Sequence, residues 1–165
     1  MKNKGFSLIE VITSIFILTV GVGGAFSLIY QTLSAVYSVR SELTDSFLAQ
    51  EGIEVVKNLR DNAWLESRAA TSTSWLSNLS EVGGDYELDY STQYLSQADN
   101  STYMKIDSSG LMNYSSGDLT TFIRSVSLSN VSTSTVNVVI TVEWQAGGKS
   151  HTLEIVEDIT NWYEK

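Results

Sequence analysis

The sequence has no cysteine, no proline and a single histidine, and its ten basic residues face nineteen acids. Without cysteine there are no disulfide staples, so any folded part must hold by packing alone. Without proline, a break in a long helix falls to glycine. His151 stands alone, so a zinc site or a Cys/His or Ser/His nucleophilic arrangement has almost nothing to be built from. No catalytic residue, metal or cofactor is therefore expected. The charge deficit excludes a further class. Residues 1–60 carry five acids and five bases, residues 61–165 fourteen acids and five bases, so the net charge of −9 lies on the second part. Such a surface repels phosphate backbones and lacks the counterion-release contribution, so no nucleic-acid partner is expected. No phosphate-cradling loop is present either, because Gly21-Val22-Gly23-Gly24 lies inside an apolar run. Asp99-Asn100-Ser101 and Asp107-Ser108-Ser109 read as polar turns, since neither spacing resembles an EF-hand.

What the chain has is one long apolar run near its start. The twenty residues Val11 to Tyr30 carry no charge, enough to cross a hydrocarbon core of about 30 Å as a helix. A span over about residues 9–32 is expected. Lys2 and Lys4 precede it and the next base is Arg40, which keeps the N-terminus cytoplasmic and places the remainder outside. The run is too long for the core of an ordinary cleaved signal peptide. Glu10 sits at its cytoplasmic lip. A carboxylate deep in a bilayer costs roughly 2.5–3.5 kcal/mol, so an acid there asks for a partner. Were the chain cut after Gly5, the α-ammonium of Phe6 would stand one turn away, on the same helix face at spacing i, i+4.

Lys2, Lys4 and then Gly5-Phe6-Ser7-Leu8-Ile9-Glu10-Val11 resemble the leader and N-terminus of type IV pilins and type II secretion pseudopilins. The resemblance implies a leader of residues 1–5, cleavage between Gly5 and Phe6 by prepilin peptidase, N-methylation of Phe6, and a Glu10 that neutralises a Phe6 ammonium in a growing filament. Many relatives carry a disulfide and often a proline in the membrane helix; this chain has neither. Ser14, Gly21 and Gly24 recur near helical spacing and form a stripe of small residues that would let neighbouring helices approach in lipid.

Beyond the run, Leu33, Val36, Leu43, Phe47, Ile53, Val56 and Leu59 recur at mostly helical spacing with charges between them. One helix over residues 6–61 is predicted, about 80 Å long at 1.5 Å per residue, with Gly52 marking close packing or a bend. Asn62 to Gly84 reads as a loop with a short helical turn near Ser74 to Ser80, and with Trp64 and Trp75 as core anchors. Tyr86-Leu88-Tyr90, Tyr103 to Ile106, Phe122 to Leu128, Val136 to Trp144 and Thr152 to Ile159 read as strands, the last two joined by a hairpin at Gln145 to Lys149 with His151 on its surface. Thr160 to Tyr163 is expected to tuck an aromatic against the sheet. The fold class is α+β: a long N-terminal helix, membrane-spanning in its first half, packed on an antiparallel sheet in an extracytoplasmic domain over residues 62–165.

The expected role is a structural subunit, a minor pilin or pseudopilin, of a type IV pilus or type II secretion filament. Its expected partners are prepilin peptidase, other subunits, an inner-membrane assembly platform and membrane lipid. Two rivals remain, an adhesive tip subunit using loops between Asn62 and Asn113, and a membrane-anchored hydrolase. The first needs an exposed aromatic patch in those loops, the second convergent titratable groups in a pocket.

Overall fold

The computed structural model describes residues 5–69, 74–79, 84–97 and 102–162. Two compact units divide the chain at Arg40 and Ser41. The helix α1, Leu8–Ala69, contributes to both. In the first unit every large apolar side chain of the run is exposed, Phe16 at 67% and Leu18 at 68% among them. An 18-residue window has a mean hydropathy of 2.1, so the helix is long and apolar enough to cross a membrane. Several hydroxyls within it find partners in their own helix. Thr13 Oγ1 donates to Ile9 O at 3.0 Å, Ser14 Oγ to Glu10 O at 2.7 Å and Thr19 Oγ1 to Ile15 O at 2.8 Å, which is what a segment surrounded by hydrocarbon requires of its polar groups.

The second unit sets the rest of α1 against an antiparallel sheet. After a 3-10 turn at Ser77–Leu79 come β1 Asp85–Glu87, β2 Ser96–Gln97, β3 Lys105–Ile106, β4 Met112–Asn113, β5 Asp118–Leu119, β6 Phe122–Ser132, β7 Thr135–Ala146 and β8 Lys149–Thr160. Five strands form one sheet in the order β2-β1-β6-β7-β8, and three short ones a second, β4-β3-β5. Strands of Val, Ile and Thr suit a pleated, half-buried surface. Along β7, Val136, Val138, Ile140, Val142 and Trp144 are buried while their neighbours face outward. Their strand partners continue the face, Ile140 opposite both Val126 and Ile155. Gly147 and Gly148, at φ +60° and +74°, make the two-residue β7–β8 turn, the left-handed pair that such hairpins need and that glycine adopts without a Cβ penalty. Lys57 reaches Glu157 on β8 at 2.6 Å.

Four expectations are corrected here. The helix begins at Leu8 and continues about two turns past Asp61 to Ala69, because residues 62–69 contain neither glycine nor proline and end on Arg68, a cation suited to a helix C-terminus. Trp64 is therefore helical. It stacks on Trp162 with ring centroids 4.7 Å apart and donates from Nε1 to Asn161 Oδ1 at 3.1 Å, so the closing aromatic covers the helix rather than the sheet. The apolar stripe is also displaced. Ile53, Val56 and Leu59 are buried as expected, but Leu43 and Phe47 are 56% and 67% exposed, while Asp45, Leu48, Ala49, Gly52 and Ala63 are buried. The contact face is marked by small residues, which let helix and sheet approach. An added Cβ at Gly52 would stand 3.2 Å from Ile140 Cδ1 and Cγ2. Gly52→Leu is accordingly expected to destabilise the unit by about 1–3 kcal/mol through overpacking, read as a lowered Tm. Tyr90, finally, lies beyond the end of β1 and is exposed. The residues Asp99-Asn100-Ser101 and Tyr163 fall outside the described residues.

Arg124 organises the core. Its side chain is fully buried, with Nη1 donating to Leu48 O on the helix at 2.8 Å and Nη2 to Leu88 O after β1 at 2.5 Å. Glu51 Oε1 lies 3.5 Å from Nη2. The Arg124 carbonyl accepts from the Tyr114 hydroxyl at 2.7 Å. Burial, tempered by the Arg124 charge, pushes that hydroxyl's pKa up to about 12.

Candidate functional site

Gly5, Phe6 and Ser7 precede the helix without regular structure. Ser7 O accepts from Glu10 N at 3.0 Å and Val11 N at 3.2 Å, closing the first turn. The Gly5–Phe6 bond therefore lies in irregular, accessible backbone, with Phe6 82% exposed. An added Cβ at Gly5 would meet nothing within 4 Å, so the fold itself makes no demand for glycine there. Phe6 lies outside the helix in the uncut chain; the shared face expected of Phe6 and Glu10 concerns the chain after cleavage. Glu10 occupies the first turn, where the helix N-terminus favours an anion by about 0.3–1 kcal/mol. At about 100° per residue, Glu10, Ser14, Gly21 and Gly24 fall within a sector of about 80°. Gly21 and Gly24 again have nothing within 4 Å of an added Cβ. Among the described residues their smallness serves no contact.

Two of the polar residues weighed in the sequence, His151 and Asp107, lie in the second unit. His151 is half-buried and stacks on Trp144 with centroids 5.2 Å apart, extending the Phe122–Trp144 pair across three strands. Asp107 builds the expected turn, its Oδ1 accepting from Ser109 N at 2.8 Å and Leu111 N at 3.1 Å. Among the described residues no group of three or more His, Cys, Asp or Glu is placed to hold a metal ion.

Two buried carboxylates have opposite electrostatics. Asp45, 2% exposed, has its pKa raised above the ordinary 3.8, chiefly by desolvation; contacts from Ser46 offset part of this and the Glu42 charge adds to it. Asp89 is lowered. Burial alone would raise it, but hydrogen bonds from the hydroxyl and N–H of Ser91, from Tyr114 N and from Thr92 outweigh that. Its Oδ1 accepts from Ser91 Oγ at 2.7 Å and Ser91 N at 2.9 Å. A raised folded pKa means that the native state holds its proton longer, so Asp45 erodes stability as pH climbs from 3.8 through the folded pKa; Asp89 contributes stability above pH 3.8 that is lost as pH falls through its lowered value. Asp45→Asn is expected to raise Tm at neutral pH by a few degrees and to gain nothing at low pH. An equal shift at both pH values would show that charge is not the cause.

Residues 1–26 match the family model described as the prokaryotic N-terminal methylation motif. This is the leader motif of type IV pilin and pseudopilin precursors, here joined to one long N-terminal helix packed on antiparallel sheets, an α+β arrangement of pilin-like kind. The motif is that of structural subunits, and with the apolar helix it fits a membrane-anchored chain. No curated protein and no solved structure matches the chain.

Proposed function

We propose that this chain is a filament subunit, a minor pilin or pseudopilin of a type IV pilus or type II secretion machine. The observation that carries the reading is the methylation motif lying on exposed, non-helical Gly5-Phe6-Ser7, directly ahead of an apolar helix with one acid at its start. In this reading prepilin peptidase removes residues 1–5 and the Phe6 amine is methylated. About residues 9–32 hold the chain in the cytoplasmic membrane, N-terminus inside, until an inner-membrane platform adds it to the filament. Glu10, Ser14, Gly21 and Gly24 face neighbouring helices, and in the second unit exposed Leu43 and Phe47 offer apolar side chains of their own. Intact mass of protein from its native cells tests the processing. The expected chain begins at Phe6 and carries one extra methyl group. A chain beginning at Met1 in cells with active prepilin peptidase would refute it. A second reading, an adhesive subunit, is favoured by one observation, an open groove flanked by exposed tyrosines in the distal unit.

A further inference from the structure

A groove of about 640 Å³ opens between the last turns of α1 and the loop that follows β1. That volume lies within the range of about 300–1,000 Å³ usual for small-ligand sites. Asn58 and Asn62 present their amides from the helix, Gln93 another from the loop, and Tyr90 and Tyr94 stand 49% and 65% exposed beside them. We propose that this groove binds a neutral oligosaccharide, which gives the adhesive reading its ligand.

The chemistry of the lining selects that class. A pyranose has an apolar face of C–H groups and a rim of hydroxyls that each donate and accept. Tyrosine offers a flat apolar body with a polar tip, and a side-chain amide offers a donor and an acceptor side by side, a match for adjacent hydroxyls. The amides on the helix are already ordered. Asn62 Nδ2 donates to Asn58 Oδ1 at 2.9 Å, which leaves Asn58 a free donor edge and Asn62 a free acceptor edge. The loop is ordered too. Asp89, 8% exposed, gathers Ser91 and Thr92 through Oδ1, and Thr92 N donates to Asp89 O at 3.0 Å. These bonds fix the turn that carries Tyr90 and leads into Tyr94, which lessens the ordering to be done on binding.

The same lining argues against other ligands. Among the described residues no lysine or arginine borders the groove and Glu66 does, so phosphorylated, sulfated or uronate-rich glycans meet repulsion. An apolar peptide would bury the amides without partners, which is costly.

The test uses the full chain in lipid nanodiscs, because glycoside detergents would themselves compete. Cellotetraose, chitotetraose and maltotetraose serve as neutral probes and a heparin tetrasaccharide as the anionic one, followed by saturation-transfer NMR and calorimetry. At least one neutral probe is expected to bind with a Kd of roughly 1 mM or tighter. Tyr94→Ala and Asn62→Ala should each weaken it about tenfold or more, while Val156→Ser on strand β8, which does not line the groove, leaves it unchanged. Circular dichroism confirms that each variant is folded, and Gln93→Ala replaces any that is not. Four results would overturn the proposal: no neutral probe bound with a Kd of about 1 mM or tighter, tighter binding of the heparin fragment, binding indifferent to both groove substitutions, or a Tyr94→Cys chain that crosslinks to a second copy with no neutral probe able to prevent it. None of these touches filament assembly, since the protein is tested unassembled.

Discussion

Arg124→Ala is expected to destabilise the distal unit by about 3–5 kcal/mol, the range seen when one partner of a buried charged network is removed. The loss has two parts. Leu48 O and Leu88 O lose the guanidinium N–H groups that reach them at 2.8 and 2.5 Å, and Glu51 loses the cation 3.5 Å away. The three groups belong to the helix and to the segment after β1, so the substitution also unfastens elements that share no backbone hydrogen bonds with each other. Arg124→Met should recover little of this. Replacing a whole buried ion pair with apolar residues is often neutral, but here two of the partners are backbone carbonyls, which no substitution can remove. Arg124→Lys keeps the charge yet lacks the planar fork needed to reach both carbonyls, and should fall between parent and alanine. Thermal unfolding of the three variants, followed by near-UV circular dichroism, checks the order. Alanine and parent melting within about 2 °C of each other would show that Arg124 is a passenger in the core.

What the sequence revealed of this fold depended on how local each signal was. The alternation of Phe122, Arg124, Val126 and Leu128 and the β-branched runs on either side of Gly147-Gly148 marked the sheet, because a strand with one buried face repeats every two residues. Arg124 shares the buried face by that alternation, but nothing local marks it as a clamp, since its acceptors are backbone carbonyls 76 and 36 positions away. The helix face escaped for another reason. Ala49, Gly52 and Ala63 carry almost no hydropathy, and Leu43 and Phe47, which carry much of it, face away from the sheet. The N-terminal motif was readable because all its parts lie within a few residues. The groove was not, since Asn58, Asn62, Gln93 and Tyr94 are brought together only by the turn that Asp89 holds.

Glu10→Ala should separate membrane insertion from filament assembly. Removing a charge from the start of the span makes it more apolar, so the variant should enter the membrane at least as well as the parent. Cleavage should persist. The Gly5–Phe6 bond lies in backbone outside the helix, and Glu10 is already within its first turn, so losing the carboxylate leaves the segment presented to the peptidase unaltered. Assembly is where the loss should appear. The carboxylate lies in the same sector of the helix as Ser14, Gly21 and Gly24, the small residues proposed to meet neighbouring helices, and it would there meet the Phe6 ammonium of another subunit once the leader is gone. An ammonium buried among helices without its carboxylate costs about 3–5 kcal/mol, and each 1.4 kcal/mol is about tenfold in an equilibrium, so incorporation should fall at least tenfold. Glu10→Gln should fall nearly as far, because an amide fills the space but carries no charge; this distinguishes pairing from packing. Cells making each variant are divided into membrane and sheared-filament fractions and both are probed for the chain. Equal incorporation of parent and alanine variant would remove Glu10 from the assembly contact, and full activity of the glutamine variant alone would reduce it to a space-filling role.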